Sequence, residues 1–165
     1  MTTPARFLEV VPDSDRLIRL GLQTRDKIMV KHVVARCLDI GEGQQKRVSV
    51  AGRDICVFNI KGSFFALLDR CPHEGASLSH GFRVGLVTSS SPGCFQYSRE
   101  SEMVKCPWHG WEFDIKTGQS WCAPKKVRVR PYPADVESGD DLVKGPYVAD
   151  SFPVSLDGQY VVIDL

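Results

Sequence analysis

Between Lys31 and Asp69 apolar and polar positions fall into short runs separated by glycine-containing turns. His32-Val33-Val34-Ala35-Arg36 reads as a strand, with Gly41-Glu42-Gly43 turning the chain after it. Lys46-Arg47-Val48-Ser49-Val50 alternates polar and apolar, the mark of a strand with one wet face. Ala51-Gly52-Arg53 turns it into Asp54–Ile60, a nearly unbroken apolar run that predicts a buried strand. Lys61-Gly62 then leads into a further strand over Ser63–Asp69. Strands joined this tightly form antiparallel hairpins, because parallel neighbours need crossovers of about a dozen residues or more. The fold class is therefore all-β.

The flanking regions read less regularly. Leu17, Ile18, Leu20 and Leu22, after Asp13-Ser14, predict a short amphipathic helix, which Gly21 weakens. Residues 1–30 are taken as an N-terminal extension, either an arm packed on the domain or a contact for a partner or a second copy. Val87–Met103 is polar and irregular and is expected to be an inserted loop around 86–103, functional or disordered. Trp111–Ile115 predicts a strand, Thr117-Gly118 a turn, and Val127–Pro133 another strand. A second insertion is expected around 135–153, where Gly, Asp and Pro punctuate the chain. Val154-Ser155-Leu156 and Gln159–Leu165 predict a closing hairpin across Asp157-Gly158, with Val161, Ile163 and Leu165 on one side. The domain proper is 31–165.

Composition narrows the function classes. A chain of 165 residues that is 42% hydrophobic and 25% charged can bury one core. A net charge of +1 points to neither nucleic acid nor a membrane surface as partner. No apolar run is long enough to span a bilayer, and the first residues lack the apolar stretch of a secretory signal. The expected location is the cytoplasm.

The chemistry is concentrated in two boxes, Cys71-Pro72-His73-Glu74-Gly75-Ala76 and Cys106-Pro107-Trp108-His109-Gly110-Trp111. Each supplies one thiolate and one imidazole, the set that a mixed-ligand binuclear iron–sulfur cluster needs. Zinc is the rival, since Cys₂His₂ also binds zinc, but zinc fingers usually pair Cys with Cys and His with His along the chain. Among the other cysteines, Cys56, Cys37 and Cys122 are expected as small buried hydrophobes and Cys94 as an exposed thiol. His32 and His80 are expected to be surface or structural residues.

With a proline after each Cys and a glycine shortly after each His, the boxes resemble those of the Rieske [2Fe-2S] family. The likeness covers about 31–133 and 154–165. It implies a domain of antiparallel sheets with two loops at one tip holding one [2Fe-2S] cluster. Cys71 and Cys106 would bind the buried iron, and His73 and His109 the outer one. High-potential members carry an extra Cys in each box, where this chain has Ala76 and Trp108. They also place Ser and Tyr hydroxyls where it has Trp111 and Phe113. A low potential follows.

The resemblance further implies a carrier that takes one electron at a time from a flavin-dependent reductase to a terminal oxygenase or other redox protein. No 2-His-1-carboxylate set for a catalytic mononuclear iron stands out. The alternatives are a Rieske subunit bound permanently to a catalytic chain, a redox sensor, and a nitrite-reductase small subunit, a type that often lacks these ligands. Arg83, Arg99, Lys105, Lys125, Lys126, Arg128 and Arg130 are candidates for a basic docking face. The plainer reading is that Arg128 and Arg130 mark the wet side of a strand.

Overall fold

The computed structural model describes residues 30–144, 147–148 and 158–165. The helix expected at 17–22 and the strand at 154–156 lie outside them. The elements are β1 (Lys31–Arg36), β2 (Gln45–Val50), β3 (Arg53–Ile60), β4 (Ser63–Leu68), β5 (Phe82–Ser91), β6 (Cys94–Lys105), β7 (Glu112–Asp114), β8 (Pro131–Tyr132), β9 (Ala134–Ser138), α1 (Gly139–Lys144), β10 (Tyr147–Val148) and β11 (Gln159–Asp164). They form three sheets, ordered β10-β1-β11-β9, β2-β3-β4-β8 and β5-β6-β7. Apart from the short parallel contact of β1 with β10, the pairings among the described residues are antiparallel.

The second sheet is central, and β3 shows why. Alternate residues of a strand point to opposite faces. Ile55 and Val57 of β3, with Phe64 and Ala66 of β4, pack against Val34, Val161 and Ile163 of the first sheet and Leu165 just beyond it. Cys56, Phe58 and Ile60, with Leu67, point the other way, into a second core shared with Val104, Phe113, Cys71 and Cys106. A strand buried on both faces reads as a continuous apolar run. Each side chain so buried contributes about 1.5–3 kcal/mol. The expected placement of Val161, Ile163 and Leu165 on one side is observed.

Three expectations are corrected. Residues 86–103 are not an irregular loop. They belong to the long hairpin β5–β6, which turns at Pro92-Gly93 with Gly93 at φ 82. Its polar sequence hides it, because the outer ribbon has no buried face to impose an alternation. Ala134–Ser138, inside the second expected insertion, is β9, paired along its length with β11. The strand expected over Val127–Pro133 shrinks to Pro131–Tyr132 on β4. Pro131 and Pro133 have no N–H to offer a ladder.

The turn after β7 has no room for a side chain. Gly118 sits at φ 72, and a Cβ there would lie 2.1 Å from the Val129 carbonyl oxygen. Gly118 N–H donates to Asp114 O, and Val129 N–H donates to Gly118 O. Gly43, at φ 75, faces open space. Gly118→Ala is expected to cost at least about 2 kcal/mol, and Gly43→Ala only about 1. Thermal melts check this, and equal losses would remove the Val129 contact as the cause.

Candidate metal centre

The boxes hang from the ends of neighbouring strands, the first between β4 and β5 and the second between β6 and β7. Both loops close in the same way. Cys71 N–H donates to Ala76 O and Gly75 N–H to Cys71 O; Cys106 N–H donates to Trp111 O and Gly110 N–H to Cys106 O. Each closure puts its glycine in the left-handed region, Gly75 at φ 86 and Gly110 at φ 69. This is the reason for a glycine four residues after each Cys.

The loops are tied down from below. Asp69, its side chain fully buried, accepts hydrogen bonds from Ser77 Oγ (2.6 Å), Ser79 N–H (2.6 Å) and Ser79 Oγ (2.9 Å). Arg47 Nε lies 3.4 Å from the same carboxylate. Gln45 Nε2 donates to the carbonyls of Ser79 and Gly81, both at 2.9 Å. Buried Leu78 anchors the exit of the loop. None of Asp69, Ser77, Ser79 or Gln45 was singled out by the sequence. Asp69 carries a faint signal, a lone charge at the end of an apolar run. Gln45 carries none, because its partners are more than thirty residues away.

The four candidate ligands divide into two pairs. Cys71 and Cys106 are buried in the second core, 1% and 3% exposed. Burial pushes the Cys71 thiol up; the backbone N–H groups of His73 and Glu74 oppose this, and the adjacent Cys106 thiol adds to it. Two thiols in contact in a dry pocket become a thiolate pair only beside a cation. His73 and His109 are exposed, with ring centroids 4.9 Å apart and planes at 81°. Trp111 stacks on His73 at 4.8 Å. Nε2 of His109 lies 3.7 Å from a Glu74 carboxylate oxygen.

This division tests the rival metals. Ligands of one tetrahedral zinc ion, at bond lengths of about 2.0–2.3 Å, stand roughly 3.3–3.8 Å apart. Among the described residues, the one group of three or more donors within 4.8 Å of each other is His73, Glu74 and His109, and neither thiol joins it. Thiols paired inside and imidazoles paired outside fit a two-iron group with unlike ends.

The model of the Rieske [2Fe-2S] domain matches residues 30–133. The chain belongs to the Rieske [2Fe-2S] domain family. A Rieske domain carries one [2Fe-2S] cluster. Over 108 residues the chain is 33% identical to the 3-phenylpropionate/cinnamic acid dioxygenase ferredoxin subunit of Escherichia coli (strain K12), covering 66% of this chain and 87% of that one. The ferredoxin of carbazole 1,9a-dioxygenase from Nocardioides aromaticivorans IC177 has a similar fold, with a TM-score of 0.55 and 21% identity over 81% of this chain and 96% of that one. So does a Mycobacterium tuberculosis chain described as an NADH-dependent nitrite reductase small subunit, with a TM-score of 0.54 and 20% identity over 84% and 97%.

Outside the Rieske boxes the expectations divide. Cys56 is buried and Cys94 exposed, as expected. Burial, with Asp69 nearby, pushes the Cys56 thiol up and keeps it inert. Cys122 is exposed rather than buried, and Cys37 only half-buried. Ser120 Oγ accepts the N–H of both Cys122 and Ala123, which turns that segment over the surface. His32 is buried in β1 and His80 exposed. Several of the seven basic residues expected at a docking face have partners on the domain itself. Arg83 stacks on Phe58 and donates to Ser101 O, Arg99 pairs with Asp114, and Lys105 with Glu112. Lys125, Lys126, Arg128 and Arg130 remain exposed.

The buried Asp69 carboxylate is the main brace of the first loop. Asp69→Ala leaves the Ser79 N–H without an acceptor and takes the shared carboxylate from Ser77, Ser79 and Arg47, of which Arg47 keeps Asp54; it is expected to cost roughly 2–4 kcal/mol. Iron bound per chain is expected to fall with it. A variant with undiminished iron content and melting temperature would show that the brace is dispensable.

Proposed function

We propose that Cys71 and Cys106 hold one iron and His73 and His109 the other, and that the chain is a Rieske-type ferredoxin. It receives single electrons from a flavin-dependent reductase and delivers them to a terminal oxygenase or other redox protein. The observation that carries this is the exposure of the two imidazoles above the two buried thiols. The bound cluster supplies one-electron storage. The thiols hold it in the core, and the imidazoles present it at the surface where a partner docks. Trp111 fixes the plane of His73 by stacking. Glu74 faces Nε2 of His109, which leaves Nδ1 as the ligating nitrogen.

The reading as a carrier rather than an enzyme is supported by a relative named as a ferredoxin subunit and matched over 87% of its length. Two surface grooves among the described residues, one around Phe65 and Tyr132 and one around Asn59 and Arg83, include none of the four candidate ligands. Among the described residues no helix is long and apolar enough to cross a membrane. Free, exposed Cys94 and Cys122 suit a reducing cytoplasm. Residues 1–30 are read as an extension to the electron-transfer domain.

The test is a reconstitution with a purified reductase, this protein and candidate oxygenases. Product is expected only when this protein is present, with uptake of one electron per chain. Equal product without it would overturn the assignment.

A second expectation concerns potential. Trp111 and Phe113 bring no hydroxyl to the site, and the Glu74 carboxylate adds negative charge beside His109. The midpoint is expected near the low end of the roughly −150 to +300 mV Rieske range. His109→Cys adds a thiolate and is expected to lower it further or to lose the cluster, whereas Glu74→Gln is expected to raise it. Redox titration followed by absorption checks all three. A wild-type midpoint above zero, or an unchanged midpoint and spectrum in the His109 variant, would contradict the assignment.

A further inference from the structure

The outer part of the β5–β6 hairpin has no place in the electron-transfer reading. Its ribbon pairs Leu86 with Ser98, Val87 with Tyr97, Thr88 with Gln96, Ser89 with Phe95 and Ser91 with Cys94. Cross-strand partners share a face, as do residues two apart, so Val87, Phe95 and Tyr97 lie on one face. They are 58%, 73% and 62% exposed. The Tyr97 ring lies directly over Gly85, where a Cβ would come within 2.4 Å of it. The apolar strip is therefore a defined surface.

The ribbon is also held in place at its root. Between the pairs Val84–Met103 and Leu86–Ser98, Gly85 alone faces Arg99 to Glu102. Arg99 and Ser101 take positive φ there, 50 and 59. Arg99 is clamped to Asp114 (2.6 Å) and Glu102 (2.9 Å), and Arg83 donates to Ser101 O. These contacts tie the root of the ribbon to the body.

Exposed strand edges are templates for pairing, and proteins usually guard them with charges. Residues 86–98 contain no charged residue, in a chain that is 25% charged. Among the described residues β5 pairs only with β6, and β5 is the outer strand of its sheet. Pro92 and the irregular pairings at the root and near the tip are the guards the ribbon has, and none of them shields Leu86–Ser89.

We propose that this ribbon is a dimerisation arm whose occupant is the same ribbon of a second copy. The two β5 edges meet antiparallel about a two-fold axis, and the two Val87–Phe95–Tyr97 strips merge into one. Neutrality argues for this occupant. A partner recognised by charge would need charges on the ribbon, and residues 86–98 carry none. A second copy brings a neutral strip and an edge of equal length, so the contact is self-complementary. The inference stands apart from the cluster assignment.

The test is sedimentation of the full-length, cluster-loaded protein across a concentration series, with hydrogen exchange on the same samples. The wild type is expected to dimerise, and the β5 amides to exchange more slowly as the dimer fills. Val87→Lys with Phe95→Lys puts like charges across the axis and is expected to weaken the dimer at least about tenfold. Val87→Ser with Phe95→Ser is expected to weaken it without added charge. Unchanged cluster absorption shows that each variant is folded; if the lysine pair disturbs it, the serine pair decides. A wild type that stays monomeric overturns the proposal, as does a dimer indifferent to the variants. A monomer whose electron delivery falls in the variants would mean that the redox partner occupies the ribbon, which also overturns it.

Discussion

The candidate centre depends on the second core, the one on the far face of β3 and β4. Cys56, Phe58 and Leu67 supply its floor, and Val104 and Phe113 one of its walls. Cys71 and Cys106 are set into it side by side. The two thiols come from boxes far apart in sequence, and only close packing against one shared apolar surface brings them together. Without that surface the chain would hold two flexible loops and no site. The hydrophobic effect here does more than stabilise the domain. It creates the dry pocket in which the two thiols are set.

From that pocket outward the environment changes within one loop. The same closure, repeated in both boxes, turns each chain segment from buried Cys to exposed His. The site is therefore polarised, with sulfur inside and imidazole outside. An electron carrier needs this arrangement, because insulation protects the group and one short exposed edge gives access to a partner. Asp69 and Gln45 hold the first loop from beneath, while Asp114 accepts the N–H groups of Lys116 and Thr117 and secures the turn after the second. The same Asp114 clamps Arg99 at the root of the ribbon. One buried carboxylate thus links the chain beside the second box to the arm.

Legibility followed burial. β1 to β4 lie within about two residues of their expected bounds, because each has a face, or two, pressed against a core and turns marked by glycine. The ligand boxes were legible for a related reason: iron chemistry restricts residue type and spacing tightly enough to leave a pattern. The ribbon left none, since neither of its faces is buried in the described structure. β9 was hidden in a stretch that looks like loop, because its pairing partner β11 lies some twenty residues further on. Cys122 looked like a core residue, and one hydroxyl, that of Ser120, turned it outward.

The sequence alone determined the all-β class and offered the candidate donor set, because both follow from local constraints: alternation, turn chemistry and ligand spacing. It also carried the absence of the extra cysteines and hydroxyls on which the low-potential expectation rests. The family likeness implied buried thiols and outer imidazoles, and the tertiary structure shows the thiols in one core and the imidazoles at the surface; only the structure decided that Glu74 meets His109. It also decided that the polar stretch between the boxes stands out as a clamped, uncharged ribbon. These are contacts between residues distant in the chain, and they exist only once the two faces of β3 have each found a core.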